Sequence, residues 1–89
     1  MESVRTRQFN KLFDALPADV QRDATEAYQQ FASDPTYPGL HLEPVHGKRG
    51  QIYYSARVGS HYRALAKRLP DTWLWFWIGP HSEYGKLLE

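Results

Sequence analysis

The sequence predicts an α+β domain: an N-terminal helix hairpin packed on a mostly antiparallel four-stranded sheet, with a short C-terminal helix. Three observations predict it. Apolar residues recur at helical spacing as far as residue 31, alternation of period two takes over from residue 40, and tight turns separate the alternating segments. The hairpin spans 4–34, the sheet 40–79 and the tail helix 82–88, all within one domain over 1–89. No internal repeat, linker or low-complexity run interrupts it.

Phe9, Leu12, Phe13 and Leu16 stand at i, i+3, i+4 and i+7 and make the apolar stripe of the first helix. Leu16-Pro17 stops it, because a residue before proline avoids the helical region while proline suits the first turn of a new helix. The second helix therefore begins near Pro17, with Asp19 in the first turn where the helix dipole favours an anion. Val20, Ala24, Ala27, Tyr28 and Phe31 form its stripe, and Ser33-Asp34-Pro35 ends it. The two stripes give the hairpin one shared apolar side.

Pro35 to Gly39 form a stiff connector. Leu40 and Leu42 alternate with His41 and Glu43, which predicts a short edge strand reaching Pro44. His46 to Gly50 form a turn. In the next strand Ile52, Tyr54, Ala56 and Val58 share one face, and Tyr53, Ser55 and Arg57 the other. Gly59-Ser60 turns the chain into a third strand, Tyr62 to Leu69. After Leu69-Pro70-Asp71 comes the fourth, Trp73 to Ile78, with Trp73, Trp75 and Trp77 opposite Leu74, Phe76 and Ile78. Apolar residues on both faces mark a central strand. Gly79-Pro80 leads into the tail helix, which lies near the sheet edge.

Composition limits the chemistry. A chain of 89 residues buries only about 60–65% of its unfolded surface, so function belongs to a surface groove or rim. Without cysteine it has neither disulfides nor thiolate chemistry. The absence of a signal-like apolar start and of any long apolar run points to a cytoplasmic protein that does not enter the membrane. Net charge is +1, but it is unevenly spread: residues 1–43 carry −3, residues 44–70 carry +6 and residues 71–89 carry −2. The middle segment holds Lys48, Arg49, Arg57, Arg63, Lys67 and Arg68 and no acid, an electropositive patch suited to phosphate.

Arg57 and Arg63 flank the Gly59-Ser60 turn, so the predicted hairpin brings the two guanidinium groups together. Like charges on neighbouring strands repel unless an anion bridges them, and the planar guanidinium fork fits phosphate. The competing reading is two solvated cations, one of them paired with Glu43. His81 projects from the end of the sheet, and histidine can protonate a departing oxygen near neutral pH. Tyr84, three residues on, shares its helical face and can stack on a base or fill the core. His46, Lys48 and Arg49 in a glycine-bounded loop suit a nucleic-acid backbone, and equally suit a solvated turn. His61 stands at a strand start. Trp73, Trp75 and Trp77 could stack bases, but a buried strand explains them better. His41 and His46 lack a third ligand at convincing spacing, so no metal site is expected. No glycine-rich phosphate loop or strand-serine-helix elbow occurs.

The order of these segments resembles the RelE/ParE superfamily of toxins from type II toxin–antitoxin modules. The resemblance rests on the hairpin ending in Leu16-Pro17, on Asp34-Pro35, Tyr54-Ser55-Ala56-Arg57-Val58 and Tyr62-Arg63-Ala64-Leu65, and on Trp77 through Tyr84. It covers nearly the whole chain and implies that family's fold. RelE-like, YoeB-like, YafQ-like and HigB-like members cleave messenger RNA without a metal, usually in the ribosomal A site, whereas ParE-like members poison DNA gyrase and lack the nuclease residues. The resemblance places Arg57, Arg63, His81 and Tyr84 at nuclease positions and implies no cofactor. It also implies a cognate antitoxin, expected here to be acidic and partly disordered. An acidic general base of the YoeB-like kind would fall at Glu43, and His46 is the other candidate. Two departures stand out: the chain is barely basic, and Trp77 replaces the arginine of several YafQ-like members. Three readings follow: a messenger RNA endoribonuclease, a gyrase inhibitor, and an interaction protein that keeps the fold without toxicity.

Overall fold

The computed structural model describes residues 2–88. The elements run β1 (Glu2–Arg5), α1 (Arg7–Asp14), α2 (Ala18–Ser33), a 3-10 turn (Pro38–Leu40), β2 (Glu43–His46), β3 (Ile52–Val58), β4 (Tyr62–Arg68), β5 (Thr72–Pro80) and α3 (His81–Leu88). One sheet has the order β1-β5-β4-β3-β2; β1 runs parallel to β5, and the other pairs are antiparallel. The α+β class and the last three expected strands stand, but the sheet is five-stranded and mixed. The added strand occupies Glu2–Arg5, where the sequence reading began the helix hairpin. Its pairing with Thr72–Trp75 supplies the second neighbour that the doubly apolar β5 requires.

Thr6 separates β1 from α1 and serves both. Its amide donates to the Trp75 carbonyl (2.9 Å), and its hydroxyl accepts from the Phe9 amide (3.1 Å), an N-cap. Pro17 caps α2, as the Leu16-Pro17 signal indicates. At the far end of α2 the Asp34 carboxylate accepts from the Thr36 hydroxyl and amide, and these bonds hold its pKa below the ordinary value.

The helices cover one face of the sheet, α1 lying over β5 and α2 over β3. Phe9, Val20, Ala24 and Phe31 bury against Ala56, Val58, Ala64, Ala66, Trp73, Trp75 and Ile78. Phe31 meets both Trp73 and Trp75 edge-on, with ring centroids 5.2 and 5.3 Å apart. Such aromatic pairs contribute about 0.5–1.5 kcal/mol each beyond the area they bury.

The tryptophans do not share a face, contrary to strict alternation. Leu65 pairs with Trp77 but Ala66 pairs with Trp75, so Phe76 is an extra residue in a β-bulge. Before the bulge Trp73 and Trp75 face the helices. Beyond it Ile78 does, and Trp77 lies opposite Leu65 on the other face. The expected strand at residues 40–44 also shifts. Leu40 closes the 3-10 turn and is buried, His41 takes a left-handed backbone with φ 47°, and β2 starts only at Glu43. At the C-terminus, β5 continues through Pro80 and α3 starts at His81, one residue before the expected Ser82.

Candidate functional site

Register builds the site. Arg57 on β3 and Arg63 on β4 are direct cross-strand partners, one pair inside the Gly59-Ser60 turn. Directly paired residues have α-carbons about 4.5–5.5 Å apart, so the two guanidinium groups rise side by side from the face opposite the helices.

Each arginine is held separately. Arg57 Nε donates to the Gly59 carbonyl (2.9 Å), a contact that the turn itself creates. Gly59 supplies the turn's left-handed residue, with φ 59°. Arg63 Nη1 donates to Ser55 Oγ (3.3 Å), and Ser55 is fully buried. The Arg63 side chain is only 19% exposed; its nearest carboxylate, Glu43, is 4.0 Å away and itself 59% exposed. Arg63 is thus a recessed cation with a distant counter-charge, and an anion that could approach it would be bound in partly desolvated surroundings.

His81 and Tyr84 complete the group. The His81 amide donates to the His61 carbonyl (2.8 Å), tying the start of α3 to the start of β4 beside Arg63. The His81 and Tyr84 rings are 5.5 Å apart, and the Arg63 guanidinium lies 5.7 Å from the Tyr84 ring centre. The Tyr84 face therefore meets a cation. Gly79 pairs with Arg63 across the ladder, where a β-carbon would sit 2.7 Å from the Trp77 ring. The glycine leaves that ring its place beside the strand.

The four residues expected to act together, Arg57, Arg63, His81 and Tyr84, do come together. A cleft of about 360 Å³ opens among His41, Arg57, His61, Arg63 and His81. His46, Lys48 and Arg49 lie elsewhere. His46 pairs with Ile52, five residues from Arg57 along β3, and Lys48 and Arg49 lie in the turn beyond. At about 3.3 Å per residue, His46 is roughly 17 Å from the arginine pair. These three residues do not line the cleft.

Two further side chains meet the arginines without a local sequence signal. Ser55 falls on the Arg57 face by alternation, but nothing in the sequence marks it as the partner of Arg63. Alternation predicts His41 on a strand, whereas its backbone is left-handed and its Nε2 lies 3.5 Å from Arg57 Nη1. Among the described residues no three histidine or carboxylate side chains are placed to share a metal ion.

Fold and site define a class: a small α+β domain with helices on one face of its sheet and a cleft of arginines and histidines on the other. The chain belongs to the family described as the ParE-like toxin domain, which it matches over residues 18–86, and thus to the RelE/ParE superfamily of toxins. Its structure is similar to that of a copper-bound mutant toxin from Helicobacter pylori, with a TM-score of 0.64 over 93% of this chain and 97% of that one. Sequence identity is 16%, so this likeness bears on the fold alone. No curated protein matches the sequence. A toxin domain of this kind implies an antitoxin partner. Among the described residues no helix is long and apolar enough to cross a membrane.

Proposed function

We infer that this toxin domain is a metal-independent endoribonuclease that cuts messenger RNA on the ribosome, in the cytoplasm. The observation that carries the reading is the direct pairing of Arg57 with Arg63, with His81 and Tyr84 closing over the second arginine.

The ribose 2′-hydroxyl attacks the adjacent phosphorus, the bond to the 5′-oxygen breaks, and a 2′,3′-cyclic phosphate and a 5′-hydroxyl result. Arg57 and Arg63 stabilise the charge that builds on the non-bridging oxygens. Because Ser55 and the Gly59 carbonyl already hold them, little reorganisation is needed at the moment of reaction. His81 protonates the departing 5′-oxygen. Tyr84 orients the scissile phosphate or stacks on a neighbouring base. His46, Lys48 and Arg49 hold the strand outside the cleft. DNA, which lacks the 2′-hydroxyl, is not cut.

The family's ParE-like description favours a second reading, inhibition of DNA gyrase by binding alone. One experiment separates the two. The purified chain is incubated with programmed ribosomes and, in parallel, with gyrase and relaxed plasmid. Nuclease action leaves 2′,3′-cyclic ends on the message and supercoiling intact, and changing both arginines to alanine abolishes it. Blocked supercoiling with intact message supports the gyrase reading. Neither effect would leave an interaction protein without toxicity.

A further inference from the structure

We propose that His41 is the proton acceptor for the attacking 2′-hydroxyl, an assignment that rests on the nuclease reading of the cleft. Of the two acceptors suggested by sequence, His46 is roughly 17 Å along the strand from the arginine pair. Glu43 lies beside the pair, its carboxylate 4.0 Å from Arg63, and is the competing acceptor.

His41 is placed differently. It is the one non-glycine residue with a positive φ, 47°, among the described residues. L-residues avoid this conformation, and such outliers concentrate at functional sites. Here it directs the imidazole onto Arg57, 3.5 Å from Nε2 to Nη1. A guanidinium has donors only, so the role open to an Nε2 that faces it is that of acceptor. The ring stands at the rim of the cleft that it lines with both arginines and His81.

Topology supplies the second argument. Across the sheet the order is β2-β3-β4-β5. Arg57 is on β3 and Arg63 on β4, His41 leads into β2, and His81 follows β5. A phosphate on the arginine pair is flanked by one imidazole on each side. Displacement at phosphorus places the attacking and leaving oxygens roughly in line on opposite sides, which calls for an acceptor and a donor so arranged. The phosphate draws the Arg57 N–H away from Nε2 and frees its lone pair. The 2′-O–H bond then breaks toward Nε2 as the 2′-oxygen bonds to phosphorus, and the 5′-oxygen leaves with the proton from His81. His41 ends protonated and His81 deprotonated, and exchange with water restores both.

The test is single-turnover cleavage of ribosome-bound message by the full chain, with oxygen or sulfur as the 5′ leaving atom. His41→Asn and His41→Gly both tolerate the left-handed backbone, so the fold is kept. His41→Asn should lose roughly 10²-fold to 10⁴-fold on both substrates. His81→Gln should be slow only with oxygen, since a thiolate departs without a proton. Added imidazole should restore part of the rate to His41→Gly. Wild-type rates for His41→Asn, no imidazole rescue of His41→Gly, or a loss that follows Glu43→Gln instead would overturn the assignment and leave the nuclease reading standing. A wild-type chain that cuts no RNA would overturn both.

Discussion

Arg63 sits between a buried hydroxyl and an aromatic ring, and the two contacts leave part of its guanidinium fork free for an anion. Ser55 accepts from Nη1, and Tyr84 lies beside the guanidinium carbon. On the nuclease reading, Arg63→Ala abolishes cleavage, and orphaning the Ser55 hydroxyl costs about 1–3 kcal/mol at most. Measuring the urea midpoint beside single-turnover cleavage separates the two effects; a large fall in the midpoint with cleavage intact would make Arg63 structural. Ser55→Ala removes the support and keeps the charge. It should slow cleavage about tenfold while stability stays within about 1 kcal/mol, because a small misplacement of a positioned group is costly in rate. An unchanged rate would show that Ser55 does not position Arg63. At this scale the sequence was readable wherever a residue's place follows from strand alternation and turn position, as for Arg57, Arg63 and His81. His41 escaped because no local pattern announces a left-handed histidine, and its contact with Arg57 joins residues sixteen apart.

The β1 strand is only four residues long, with Val4 its sole large apolar side chain, so alternation had too little length to register. Its presence was implied from the other end of the chain, by a β5 segment apolar on both faces and therefore in need of two neighbours. The bulge at Phe76 was hidden for a related reason: alternation along Trp73 to Ile78 is unbroken in the sequence, and only pairing with β4 reveals the extra residue. β1 also contributes a specific bond. The indole N–H of buried Trp75 donates to Ser3 Oγ at 2.9 Å. Ser3→Ala leaves that donor unpaired and should destabilise the chain by about 1–3 kcal/mol. For a domain of this length that is a melting-temperature fall of roughly 4–8 °C per kcal/mol. No fall would mean that water replaces the serine and that β1 adds little. Gly79→Ala acts on β5 itself. The new β-carbon meets the buried Trp77 ring at 2.7 Å, so the ring or the strand must shift, at a cost of about 1–3 kcal/mol. If β5 yields, Arg63, its partner across the ladder, moves with it, and cleavage should fall along with stability.

Over the whole molecule, the two surfaces suited to a partner lie on opposite sides of the sheet. Between the helices an apolar cleft of about 100 Å³, lined by Phe9, Phe13, Tyr28 and Phe31, has room for about one side chain. The arginine pair and His81 occupy the other face. A rigid domain cannot contact both at once, but an extended segment passing round a sheet edge can, which favours an antitoxin that is partly disordered until bound. The charge-segregated sequence adds a sign. Residues 44–70 carry +6, so the segment reaching the arginines should be acidic. The two contacts should then respond differently to perturbation. Arg57→Glu should weaken antitoxin binding more than tenfold and flatten its salt dependence, because the charge that salt screens has been reversed. Tyr28→Ala should weaken binding through lost apolar area, leaving the salt dependence as it was and making the heat-capacity change of binding less negative. Titration calorimetry at two temperatures and about 0.1 and 0.5 M salt reads both. If instead a saturated toxin–antitoxin complex cuts ribosome-bound message as fast as the free toxin does, the partner does not reach the arginine face, and neutralisation must work at a distance from the cleft.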